Sequence, residues 1–114
     1  MGNYVTYIIA NKRYGTIYIG VTNDLRRRMI EHRNGVVKGF SQKYDLKLLV
    51  HFDQFEFIED AIFREKQIKR WHRAWKVNLI DKKNPMWVDL SEDLFDVVDK
   101  EYKDWVLKKR NKEK

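Results

Sequence analysis

The chain has 114 residues, enough for one domain with its own core, and no cysteine, which excludes disulfides, thiolate zinc sites and thiol nucleophiles. A net charge of +7 points to a polyanionic partner. With no long apolar run and no signal-peptide pattern after Met1, the expectation is a cytoplasmic protein, neither exported nor membrane-spanning.

In chain order, YVTYIIA (Tyr4 to Ala10) and TIYIGV (Thr16 to Val21) are rich in β-branched and aromatic residues, and NKRYG between them supplies turn formers. That pair predicts a β-hairpin. Asn23 or Asp24 is placed to cap a helix that runs to about Arg33 and stops at Asn34-Gly35. A loop to Tyr44 precedes a third strand, LKLLVHF, from Leu46 to Phe52. Helical patterns cover Ile58 to Arg70 and Arg73 to Lys83, with a bend near Trp71-His72 and a stop at Asn84-Pro85. From Ser91 the apolar positions Leu94, Val97, Val98, Tyr102 and Trp105 fall at helical spacing and predict an amphipathic helix with a basic end. The order is β-β-α-β-α-α plus a C-terminal helix, an α+β domain over 1–88 with 89–114 packed on or appended to it.

Charge is laid out in blocks. Lys12 to Lys43 holds eight Lys/Arg against Asp24 and Glu31, and Arg64 to Lys83 holds eight against Glu65 and Asp81. Asp89 to Asp104 reverses the sign, with seven carboxylates against Lys100 and Lys103. Two basic blocks folded together make a polyphosphate footprint; separately they are solvated helix faces.

Particular residues break the ordinary pattern. Steps of three and four from Ile58 reach Ala61, Ile62, Glu65, Ile68 and Lys69, so an acid sits within a core-facing stripe. Such a carboxylate is paired with a cation or holds a metal, unless the helix is rotated so that it lies at the stripe's edge. On the first helix Leu25 and Met29 mark the inner stripe, and Arg28 and His32, four apart, flank it. An arginine there either snorkels or delivers a charged fork to a phosphate. Tyr4, Tyr7, Tyr14 and Tyr18 crowd the hairpin, as packing partners or as phenols whose ionisation nearby cations favour. The stretch WHRAWK, from Trp71, mixes aromatics and cations as nucleic-acid grooves do, although Trp71 and Trp75, four apart, are also placed to roof the core. No HExxH, GxGxxG, P-loop or GxSxG pattern is present.

Val5-Thr6-Tyr7, Tyr18-Ile19-Gly20, Arg28, His32 and Glu65, in this order and at these separations, resemble the GIY-YIG nuclease superfamily, and within it the small single-domain bacterial branch. The resemblance runs from about Tyr4 to Trp87. It implies a three-stranded antiparallel sheet flanked by helices, and a metal-dependent endonuclease that cleaves DNA phosphodiesters, in repair or recombination, with one divalent cation, Mg²⁺ or Mn²⁺. It makes Tyr7 and Tyr18 the paired tyrosines, one of them the base or water-positioning group. Arg28 then holds the scissile phosphate, His32 assists proton transfer or binds phosphate, and Glu65 binds the metal. Gly20 brings backbone close beneath the substrate, and Asn84 matches a late asparagine of some members. The first glycine of the name-giving triplet is Val5 here, and Val21 stands where the repair enzymes often have lysine.

Backbone phosphates would then fall to Arg26, Arg27, Arg33, Lys38, Lys43, Lys69, Arg70 and Arg73. DNA is the expected partner, with RNA still open. A binding module without turnover on the same fold is the alternative, and a protein-interaction domain that uses the acidic tail is a third reading.

Overall fold

The computed structural model describes residues 3–34 and 43–91. Lys38 and the expected C-terminal helix beyond Ser91 lie outside the described residues. The elements are β1 (Tyr4–Ala10), β2 (Ile17–Thr22), α1 (Leu25–Arg33), β3 (Leu48–Phe55), α2 (Ile58–Arg70) and α3 (Arg73–Lys83). The sheet is antiparallel in the order β2-β1-β3, so the fold is α+β, as expected.

β1 is central, and from Val5 to Ala10 every residue is buried. This follows from its near-continuous apolar run, which leaves no polar face for solvent. Alternation sends Val5, Tyr7 and Ile9 to one side, where they pack with Leu25 and Met29 of α1 and with Leu46 and Leu49. Ile8 and Ala10 go to the other side, with Ile19, Val50, Ile68 of α2, Ile80 of α3 and Trp87. The sheet is therefore filled on both faces, with α1 on one and α2 and α3 on the other.

Local signals set most boundaries. Asp24 caps α1, its Oδ1 accepting from the Arg27 N–H at 3.1 Å. Trp71 and His72 are extended and break the helix between α2 and α3. Asn84 ends α3; its side-chain amide donates to the carbonyls of Val50 and Val88, and its Oδ1 accepts from the Val88 N–H. Both polar atoms of that side chain are thus used in holding backbone.

Three expectations change. β3 runs Leu48–Phe55 rather than Leu46 to Phe52, because the register shifts between Ile8 and Ile9 and Asp53 is stabilised in the strand by His51 and Arg64. The buried stripe of α2 is narrower than its periodicity suggests. Ala61 and Ile68 are buried, but Ile58 and Ile62 are exposed. Trp75 does not roof the core: it is 57% exposed, and Trp71 alone packs against the α2/α3 side.

Asp89 ties the end of the described chain to the domain. Its Oδ1 accepts from the backbone N–H of Leu49 and of Ser91, and its Oδ2 from Arg33 of α1. Among the described residues no helix is long and apolar enough to cross a membrane.

Candidate active site

Tyr7 stands at the middle of the central strand, opposite Gly20 of β2. A Cβ at Gly20 would fall 2.4 Å from the Tyr7 Oη and 2.5 Å from its Cζ, so the phenol ring lies across the glycine. Gly20 is needed here for the room it leaves, not for a left-handed backbone.

The ring reaches over β2 toward the last turn of α1. There the Tyr7 Oη and the His32 Nε2 lie 3.1 Å apart, with both side chains buried. Tyr18 completes a triangle of rings, its centroid 6.4 Å from Tyr7 and 6.0 Å from His32. The remaining pair, Tyr7 and His32, are 5.8 Å apart and meet edge to face.

Burial, and after it the neighbouring Tyr18, push the Tyr7 hydroxyl well above the usual tyrosine value; the Arg28 charge works against them, and Glu31 and Glu65 add to the rise. Of the two readings of the hairpin tyrosines, this favours the packed phenol over the easily ionised one for Tyr7. Burial, reinforced by Arg28, holds His32 below the ordinary histidine value against the pull of Glu31. Both groups are therefore neutral at pH 7. A protonated phenol beside a neutral imidazole favours O–H donation from Tyr7 to Nε2.

Arg28 is one third exposed and sits 3.5 Å from Glu31, which also receives Arg27 at 3.5 Å. Glu65 lies at the rim rather than in the core, its side chain 21% exposed and 3.1 Å from the Lys69 ammonium. The charges of Arg28, Glu31 and Glu65 each act on the Tyr7 phenol, Arg28 lowering its proton affinity and the two acids raising it. Glu31 was not singled out in the sequence. The signal for it was its spacing from Arg27 and Arg28, which suits ion pairs on a helix.

Among the described residues no group of three or more His, Asp or Glu could hold a metal. Glu65 offers a single hard oxygen donor set, one carboxylate. That donor set fits Mg²⁺ or Mn²⁺, which keep waters and take substrate phosphate oxygens, and does not fit a structural zinc site.

The expected phosphate-binding cations divide. Arg33 pairs with Asp89, and Arg73 donates to the carbonyls of Tyr14 and Gly15 at 2.8 and 2.6 Å, so both brace the fold. Arg27 faces Glu31, Lys69 faces Glu65, and Lys43 sits over the Tyr44 ring at 5.4 Å. Arg26 is half-buried on α1, and Arg70 is exposed on α2.

Comparison with known proteins gives the family of the chain. The model of the GIY-YIG catalytic domain matches residues 3–78. A UPF0213 protein of Staphylococcus saprophyticus is 30% identical over 82 residues, covering 72% of this chain and 99% of that protein. A UPF0213 protein of Clostridium perfringens is 37% identical over 82 residues, 72% of this chain and 86% of its own length. One from Syntrophus aciditrophicus is 34% identical over 85 residues, 73% and 93% of the two chains. No solved structure matches the chain significantly.

Proposed function

The chain belongs to the GIY-YIG catalytic-domain family, and from that premise we propose that it is an endonuclease hydrolysing DNA phosphodiester bonds with one divalent cation, Mg²⁺ or Mn²⁺. The observation that carries this reading is the buried Tyr7–His32 contact with Arg28 and Glu65 acting on the same phenol.

Hydrolysis requires a water to lose a proton as its oxygen bonds to phosphorus, and charge to be stabilised on the phosphoryl oxygens as the P–O ester bond breaks. Tyr7 is too weak an acid to serve as a standing phenolate. It acts instead as a relay: its oxygen takes the water's proton while its own proton passes to the His32 Nε2. The imidazolium formed there is stabilised by Glu31, whose charge already favours a protonated His32. Tyr18, half-buried beside both rings, orients the water. Arg28 presents a fixed positive fork to a non-bridging oxygen. Glu65 is the residue that would hold the cation, and the bound cation supplies Lewis-acid polarisation of the phosphoryl and leaving oxygens.

The test is incubation of the purified protein with supercoiled plasmid and with branched DNA, in Mg²⁺ or Mn²⁺ and in a chelator. Metal-dependent cleavage by the wild type and none by a folded Glu65→Gln variant is the expected result. Retention of DNA without cleavage in either metal would reject the enzyme and leave the binding module, recognised by its salt dependence.

A further inference from the structure

The α2–α3 junction carries a surface that the phosphodiester chemistry does not use. On α2, Phe63, Lys66, Gln67 and Arg70 recur at i, i+3, i+4 and i+7, and with Trp71 they line a cleft of about 350 Å³. On α3, Trp75, Asn78, Leu79 and Lys82 recur with the same spacing, and with Trp71 they line a second cleft of about 280 Å³. Trp71 lines both clefts, so the two adjoin at its side chain and together form a groove.

Its aromatic walls are exposed or held in place. Phe63 is 70% exposed and Trp75 57%, an unusual cost for groups of that size on a polar surface. Trp71 is fixed on one side by the Arg64 guanidinium, 5.2 Å above its ring, and on another by Trp75, edge-on at 6.2 Å. Arg64 is itself bonded to Asp53 and Gln67. Among the described residues no carboxylate lines either cleft, whereas Lys66, Arg70 and Lys82 do. Flat apolar walls edged by cations match a ligand of alternating aromatic rings and phosphates.

We propose that this groove binds single-stranded nucleic acid, with unpaired bases stacked on Phe63, Trp71 and Trp75 and the strand's phosphates on Lys66, Arg70 and Lys82. The proposal rests on the nuclease reading and deepens it: the substrate is DNA with an unpaired segment beside the cleaved bond. Phe63, Lys66 and Arg70 lie roughly 100–160° around α2 from Glu65 at 100° per residue. The groove therefore lies on the flank of α2 turned away from Glu65. The groove thus favours junctions between paired and unpaired DNA over uniform duplex.

The experiment is fluorescence anisotropy of the full chain at low salt without divalent cations. Three labelled probes of equal length are used: a single-stranded oligodeoxynucleotide, the same strand with abasic residues throughout, and a blunt duplex. The wild type binds the normal strand at least about fivefold more tightly than the abasic one. Phe63→Ala and Trp75→Ala, at positions too exposed to endanger folding, erase that difference and leave abasic binding unchanged. Lys66→Ala and Arg70→Ala weaken both strands, and each reduces the salt slope by about 0.7 for the one phosphate it no longer neutralises. Equal wild-type affinity for normal and abasic strands, or a difference that survives Phe63→Ala and Trp75→Ala, overturns the groove. Tighter binding of the duplex overturns it too. Plasmid cleavage is scored separately: cleavage without base-dependent binding removes the groove and keeps the nuclease, and base-dependent binding without cleavage does the reverse.

Discussion

The Tyr7 hydroxyl lies 3.1 Å from the His32 Nε2, and burial moves the two groups' proton affinities in opposite directions. The phenol holds its proton more tightly and the imidazole more loosely, so the pair rests neutral with an acceptor ready. A relay through Tyr7 needs His32 unprotonated. Since the His32 value lies below 6.5, the acidic fall in turnover has its midpoint below pH 6.5. Tyr7 adds no alkaline limb up to about pH 10, the ordinary tyrosine value that burial has moved it above. Tyr7→Phe and His32→Ala each lower kcat by about 10²–10⁴, and the acidic limb disappears in His32→Ala. A kcat–pH profile of wild type and both variants is the measurement; an acidic midpoint at or above 6.5 would sink the relay.

The same pair makes stability depend on pH in a calculable direction. Unfolded His32 binds a proton more readily than folded His32, so its contribution to stability falls as pH drops below 6.5. Folded Tyr7 binds its proton more readily than the unfolded phenol, so stability falls as pH rises above 10. Thermal melts across pH should show the alkaline loss in the wild type and a weaker one in Tyr7→Phe.

Gly20→Ala tests the crossing of ring and strand. The added methyl meets the buried, hydrogen-bonded phenol at 2.4 Å, and the cost is about 1–3 kcal/mol with the Tyr7–His32 contact broken. In a Tyr7→Leu background the obstructing ring end is gone, and the same substitution costs clearly less. Additive losses in this double-mutant cycle, read from denaturant unfolding, would show that the glycine serves something other than Tyr7.

How much of this was legible follows from where each signal resides. The bounds of α2 and α3 and the break at Trp71-His72 were readable because periodicity and proline are local. The meeting of Tyr7, Tyr18 and His32 was readable only as a spaced pattern, whereas Leu25 and Met29 followed from helical spacing and the pairing of β1 with β2 from the turn formers between them. The shift of β3 to Leu48–Phe55 was not, because Asp53 belongs in a strand only once His51 and an arginine 11 positions later reach it. Nor could the pattern show that Glu65 sits at a rim, since that depends on how α2 is rolled on the sheet. The role of Gly20 was hidden for the same reason: its use is defined by a ring on another strand.

Among the described residues Arg28 is held by one ion-pair contact, 3.5 Å to Glu31, and it remains one third exposed, so a phosphate can take its fork without breaking a buried pair. Arg28→Ala should lower kcat by about 10²–10³ with little change in DNA affinity, because its charge acts where negative charge develops. Arg28→Lys keeps the charge but loses the planar fork, and recovers only a small part of the rate. Single-turnover rates with DNA affinities measured in parallel decide this. Affinity loss at unchanged turnover would move Arg28 from the reacting phosphate to the flanking backbone.

Asp89 links three parts of the chain, and its removal should be felt at the site although it touches none of the reacting groups. Burial pushes its carboxyl up, but hydrogen bonds from Ser91, Leu49 and Arg33 outweigh that and bring it below the ordinary aspartate value. A lowered folded value means the contribution to stability is complete above the ordinary value and is lost as pH falls through the folded one. Asp89→Asn keeps the shape and one acceptor, whereas Asp89→Ala leaves the Leu49 N–H without its side-chain partner and should cost about 1–3 kcal/mol. Arg33 is the residue after His32 on the last turn of α1, so loosening its anchor loosens the seat of the imidazole beside Tyr7. Asp89→Ala should therefore lower Tm and also reduce turnover by several-fold, with Asp89→Asn intermediate in both. Calorimetry and plasmid cleavage on the same preparations measure this. A lowered Tm with full turnover would show that the Tyr7–His32 contact is positioned by the packing of Leu25 and Met29 alone.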